Sequence, residues 1–140
     1  MTSRRVYLAG DLVFRPDCLA IFERLRAICR NLGLEGVSPL DGQGAVAGLP
    51  SGEATILAIV AADRHLMDGC DGGLFCLDPF RRAADMDPGA AVEIGYMFGQ
   101  GNRIGLICYA DLFGRQRPAI HAFDAAPKAW MAGLRRPNGG

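Results

Sequence analysis

Arg5-Val6-Tyr7-Leu8-Ala9-Gly10 is the stretch on which the reading of the fold turns. An unbroken apolar run closed by a glycine predicts a short strand buried on both faces, ending where an open sheet makes its β-to-α turn. Tyr7 then stands near the carboxyl end of that strand. Downstream, Leu19, Ile21, Phe22, Leu25, Ile28 and Leu32 recur at helical spacing, predicting a helix over 17–31, with Asn31-Leu32-Gly33 as its stop. Glu35 to Leu40 reads as a weak second strand. Pro39-Leu40-Asp41-Gly42-Gln43-Gly44 opens a glycine-rich connection reaching Ser51-Gly52, long enough to suggest a functional loop. A second helix is predicted over 53–67 on mostly apolar positions, among them Ile56, Leu57, Ile59, Val60, Leu66 and Met67, with Asp63, Arg64 and His65 as a polar patch. Gly72 to Asp78 and Arg103 to Tyr109 are further buried strands, and 119–123 is a candidate last one. Strands alternating with helices, the strands apolar throughout, predict an α/β fold with a parallel sheet covered on both faces.

Ligands of such sheets bind beyond the carboxyl ends of the strands. On this reading that edge collects Gly10, the loop 41–44, Asp78, Asp87 and Asp111. The strongest local signal there is Asp87-Pro88-Gly89-Ala90-Ala91-Val92-Glu93-Ile94-Gly95-Tyr96. Asp87 suits the N-cap of a helix, because its carboxylate accepts from free N–H groups of the first turn, and Pro88 suits the next position, where no donor is needed. Glu93 follows within two turns and shares an approach with Asp87 if the helix start faces a cleft. The small residues Gly89, Ala90, Ala91 and Gly95 leave room for a ligand or a strand.

Composition excludes several classes. The 140 residues fit one domain, 1–140, that buries a core without staples. Fifteen basic and fifteen acidic residues give zero formal net charge and a sequence pI near 6.7, which removes the footprint of a nucleic-acid binder. Cys18, Cys29, Cys70, Cys76 and Cys108 are odd in number and lack CxxC spacing, so they are expected as reduced residues of a cytoplasmic protein. No signal-peptide pattern precedes the first strand and no apolar run reaches membrane-spanning length, so no membrane association is expected. Gly10 lies outside any GxGxxG run and there is no GxxxxGK[ST]. His65 and His121 do not make a histidine-rich metal site, so neither a metal nor a cofactor is expected. Ser38 and Ser51 lack a nucleophile-elbow context.

Several motifs in succession carry a resemblance. Tyr7-Leu8-Ala9-Gly10 is followed by Phe14, then Pro39-Leu40-Asp41 with Gln43, then Asp63 ahead of Cys70-Asp71. Next come Asp87-x-Gly89-x-x-x-Glu93-x-Gly95-Tyr96 and Asp111 after a strand. From about Val6 to Asp111 the chain resembles the nucleoside 2-deoxyribosyltransferases and their N-glycosidase relatives. The resemblance implies a flavodoxin-like (Rossmann-like) α/β three-layer sandwich around a central parallel sheet of about five strands, an active site completed by a neighbouring subunit, hence a homo-oligomer, and a nucleoside and a nucleobase as small-molecule partners. It implies Glu93 as nucleophile at C1′, with Asp87 and Asp63 near the base to supply the leaving proton and Tyr7 orienting Glu93. Gln43 matches a base-contacting glutamine and Phe14 a wall for the base, while Gly10 and Gly89 border the substrate. The expected reaction is transfer of deoxyribose between nucleobases through a glycosyl-Glu93 intermediate. The alternatives are hydrolysis of a nucleoside or its 5′-monophosphate by the same nucleophile, and an inactive nucleotide-binding module.

Two departures shape the expectation. Asp11 stands where the family commonly has proline, and an aspartate facing that loop would repel a phosphate, favouring nucleoside over nucleotide, with Arg15 pulling the other way. From about residue 112 the sequence diverges, without the Asn-Leu-Met-type segment that holds the sugar's 5′ end, so a larger share of hydrolysis is expected.

Overall fold

The structure, a computed structural model, describes residues 2–45, 47–78 and 86–107. Four parallel strands, β1 (Arg4–Gly10), β2 (Leu34–Val37), β3 (Gly72–Cys76) and β4 (Arg103–Ile107), form one sheet in the order β2-β1-β3-β4. Helices α1 (Cys18–Asn31), α2 (Glu53–Asp68) and α3 (Pro88–Gly99) connect them. The expected α/β class therefore holds. The sheet has four strands among the described residues, and the candidate strand at 119–123 lies outside them.

The alternation along β1 separates the layers, since successive side chains of a strand point to opposite faces. Val6 and Leu8 pack with Ile21, Phe22, Leu25 and Cys29 of α1, together with Leu74 and Cys76. Tyr7 and Ala9 face the other way and pack with Met67, Phe75, Ala90 and Met97, the side covered by α2 and α3. Register is explicit: Tyr7 pairs with Val37 on one side and with Gly73 on the other, and Gly10 pairs with Cys76. Because β2 and β3 flank β1 on opposite sides, the chain reverses its direction across the sheet at β1, opening a crevice beyond the ends of β1 and β3. Gly10 makes the turn into it at φ 110°. A Cβ there would stand 2.4 Å from the Cys76 carbonyl oxygen, so both the backbone conformation and the strand contact require glycine.

Several expectations change on contact with the structure. Leu19 is exposed, because the buried stripe of α1 is set by Ile21, Phe22, Leu25 and Cys29, and Leu19 falls outside it. The second strand stops at Val37, and Pro39–Ala45 winds into a 3-10 helix, a form that tight glycine-rich connections adopt readily. On α2 only Met67 is fully buried; Ile56, Leu57, Ile59 and Val60 are exposed by 61, 61, 43 and 49%. Gly95 meets nothing within 4 Å and provides no close approach. Cys29, Cys70 and Cys76 are buried, Cys18 is half-buried and all four are free thiols, whereas Cys108 lies outside the described residues. No helix among the described residues is long and apolar enough to cross a membrane.

Candidate active site

A cavity of about 590 Å³ opens at the crevice, lined by residues from several elements that reach that edge. The β1 turn gives Gly10, Val13 and Phe14, and the 3-10 segment gives Pro39, Gly42 and Gln43. Ala47, then Ile59, Ala62 and Asp63 of α2, complete one side; Asp87, Gly89 and Glu93 form the other. Asp63, Asp87, Glu93, Phe14, Gln43, Gly10 and Gly89, singled out in the sequence, thus meet in one place. Tyr7 lies beneath, fully buried.

Each polar group arrives by a local rule. Asp87 caps α3, its Oδ2 accepting from the Ala90 N–H at 3.0 Å, with Pro88 at the first helical position. Glu93, less than two turns on, points back toward the sheet, where burial raises its carboxyl from 4.5 to about 7. Hydrogen bonding with the Tyr7 hydroxyl opposes that rise, and the charges of Asp63 and Asp87 add to it. The same burial, with Glu93 next in importance, pushes the Tyr7 phenol far up, so it stays a donor. The contact is coupled without being closed: neither Tyr7 Oη nor Glu93 Oε2 has a hydrogen-bond partner of ordinary geometry, though both atoms are buried. Two unsatisfied polar atoms under a cavity are costly in free energy and give a ligand something to complete. Asp63, half-buried on α2, is raised by burial alone. Gln43 is exposed, with its amide directed to no protein group in the hydrogen-bond network of the described residues.

Asp11 does not behave as the sequence suggested. It is buried rather than lining the cavity, and burial raises its carboxyl. Its metal-capable oxygen, the Cys76 thiol and an Asp78 oxygen lie within 4.8 Å of one another, the group among the described residues best able to approach a cation. The thiol instead donates to Asp78 Oδ2 at 3.2 Å, and Arg15 Nη1 stands 3.8 Å from Asp11 Oδ2, so charge is already offset there. The repulsion of a phosphate assigned to Asp11 is therefore weakened. Val13, Ile59 and Ala62 were not singled out. Ile59 sits four residues before Asp63, hence on the same face of α2, a signal the helical spacing carried. Asp111 and His121 lie outside the described residues.

A parallel α/β sheet with a cavity at its switch point is the arrangement in which sheets of this class hold small-molecule ligands. The model of the nucleoside 2-deoxyribosyltransferase family matches residues 6–118, and the chain belongs to that family. An uncharacterized protein of Schizosaccharomyces pombe is 60% identical over 96 residues, covering 69% of this chain and 46% of that one, so the chain spans about half the length of that curated relative. Among solved structures, a 2-deoxyribosyltransferase from Leishmania mexicana superposes with a TM-score of 0.61 at 23% identity, covering 83% of this chain and 75% of that one. A 2-deoxyribosyltransferase from Bacillus psychrosaccharolyticus gives 0.56 at 20% identity, covering 73% and 70%. These two likenesses bear on the fold.

Proposed function

We propose that the protein cleaves the N-glycosidic bond of 2′-deoxynucleosides and passes the deoxyribose to a second nucleobase. The observation that carries this is Glu93: a half-buried carboxyl whose Oε2 is buried and unsatisfied, in a cavity that it shares with Asp63 and Asp87. The Glu93 carboxylate attacks C1′ as the bond to the base breaks, and the bonding pair leaves with the base nitrogen. Asp63, whose burial favours its protonated form, or Asp87 at the helix start supplies the proton. Tyr7 holds Glu93 from below and stabilises its carboxylate. Gln43 presents an amide donor and acceptor to the base edge, and exposed Phe14 offers it an aromatic face. A second base then attacks C1′ through a ring nitrogen, giving its N–H proton back to the aspartate that served as donor, and the C1′–Glu93 bond breaks to regenerate the carboxylate.

Among the described residues the cavity lining holds three carboxylates and no lysine or arginine, which supports an uncharged nucleoside over its 5′-monophosphate. The exposed apolar residues Ile56, Leu57 and Val60, on the helix that also carries Asp63, support burial of α2 against a second copy of the chain. The reading requires no metal or cofactor. Incubation of a deoxynucleoside with a second free base, followed by chromatography, tests it. A new deoxynucleoside is expected; free deoxyribose without exchange would mean hydrolysis, and no change in either would remove the enzymatic reading.

A further inference from the structure

The side chain of Gln43 has no hydrogen bond to the protein among the described residues, so its place in the cavity is set by the backbone that carries it. That backbone is held from two sides. On one, Arg26 of α1 extends its guanidinium to the start of the 3-10 segment, where Nη2 donates to Ser38 Oγ at 2.9 Å and to Asp41 Oδ1. The other carboxylate oxygen of Asp41 accepts from the Ser38 N–H at 2.9 Å, and the Asp41 N–H donates to the Ser38 carbonyl at 3.0 Å. Ser38 is fully buried, which makes it a fixed anchor. On the other side, a Cβ on Gly42 would stand 3.2 Å from Leu66 Cδ1 and 3.4 Å from the Ala62 methyl, so the segment rests directly on α2 next to Asp63. Gly42 and Gln43 line the cavity; Arg26 and Asp41 do not.

We propose that Arg26 and Asp41 are positioning residues that fix the base-recognising end of the site by clamping the 3-10 segment 39–45. This rests on the reading of the cavity as a nucleobase site. An arginine suits the task because its planar fork bonds two acceptors at once with little residual freedom. Neither residue touches the reacting atoms, so its loss should loosen the base while leaving Glu93 chemistry intact. The clamp joins groups that are distant in sequence: Arg26 is 12 residues from Ser38 and 15 from Asp41.

The test uses the full chain with Arg26→Met and Asp41→Asn, and Arg26→Lys as the conservative variant. Hydrogen exchange over 39–45 reads the clamp directly, and steady-state kinetics with a deoxynucleoside and an acceptor base reads its consequence. Expected are faster exchange in that segment, a rise in KM for both substrates of about tenfold, and kcat within about twofold. The pH of the Glu93 limb should not move, and Arg26→Lys should fall between wild type and Arg26→Met. Unchanged exchange, or faster exchange with unchanged KM, would overturn the proposal, as would a loss of kcat alone. If the wild type shows no turnover, the functional reading fails separately, and calorimetric titration with adenine takes the place of kinetics. A tenfold weaker affinity in Arg26→Met then supports the clamp, and equal affinity or no wild-type binding refutes it.

Discussion

Glu93→Gln is expected to yield a protein that is inactive and, above pH 7, more stable than the wild type. The Glu93 carboxyl moves from 4.5 to about 7 on folding, chiefly because burial disfavours its charge. At about 1.36 kcal/mol for each pH unit between those values, the shift is worth about 3 kcal/mol. Its sign follows from proton binding. Between pH 4.5 and about 7 the folded chain holds a proton at Glu93 that the unfolded chain has lost, so stability from this group is present below 4.5 and disappears as pH rises through about 7. Glutamine is neutral throughout and escapes that loss. Urea denaturation of both proteins at pH 5 and pH 8.5 gives the quantity needed, the change in stability between the two pH values, wild type against variant. Subtraction removes contributions from titrating groups not coupled to Glu93, such as Asp11. The wild type should lose about 3 kcal/mol more than Glu93→Gln over that interval, while base exchange in the variant falls to background. Equal pH dependence in the two proteins would refute the view of Glu93 as a carboxyl strained by burial, and near-normal turnover in the variant would refute its role as nucleophile.

Tyr7→Phe removes the hydroxyl that favours the Glu93 carboxylate, so the pH at which activity rises should move upward; a pH–rate profile with an unmoved limb would deny the coupling. Asp87→Ala takes the cap from α3 and is expected to cost about 1 kcal/mol in urea denaturation, together with a drop in kcat; retention of full stability would mean that the cap bond contributes nothing. Gly10→Ala places a methyl group against the Cys76 carbonyl in a left-handed backbone conformation and should cost at least about 2 kcal/mol, read as a lower urea midpoint.

What the sequence disclosed was whatever is written locally. β1 was legible because apolar residues run without interruption to Gly10, and the start of α3 because Asp87-Pro88 states a cap and a first helical position in adjacent letters. Glu93 was legible only with the succession of motifs around it. The 3-10 turn at Pro39–Ala45 has no periodicity and read as a loop. For α2 the pattern gave the helix but not its burial, since Ile56 and Leu57 are apolar whether they face the chain's own core or open surface. Asp11 was misplaced because the turn at Gly10 sends it beside Cys76 and Asp78, a contact between segments distant in sequence. Arg26 gave no sign at all: its partners are 12 and 15 residues away, and nothing in their order along the chain pairs them.

The alternation along β1 also ties chemistry to folding fidelity. Tyr7 faces α3 only because it occupies an odd place in a strand whose even places, Val6 and Leu8, face α1. A slip of one residue in pairing with β3 would exchange the two sets. Leu8 would then lie under Glu93, and the phenol would be pressed among Phe22 and Leu25 with no acceptor. On the proposed function, a misregistered molecule would thus be silent as well as unstable, and specific activity would report whether the central strand has been paired correctly.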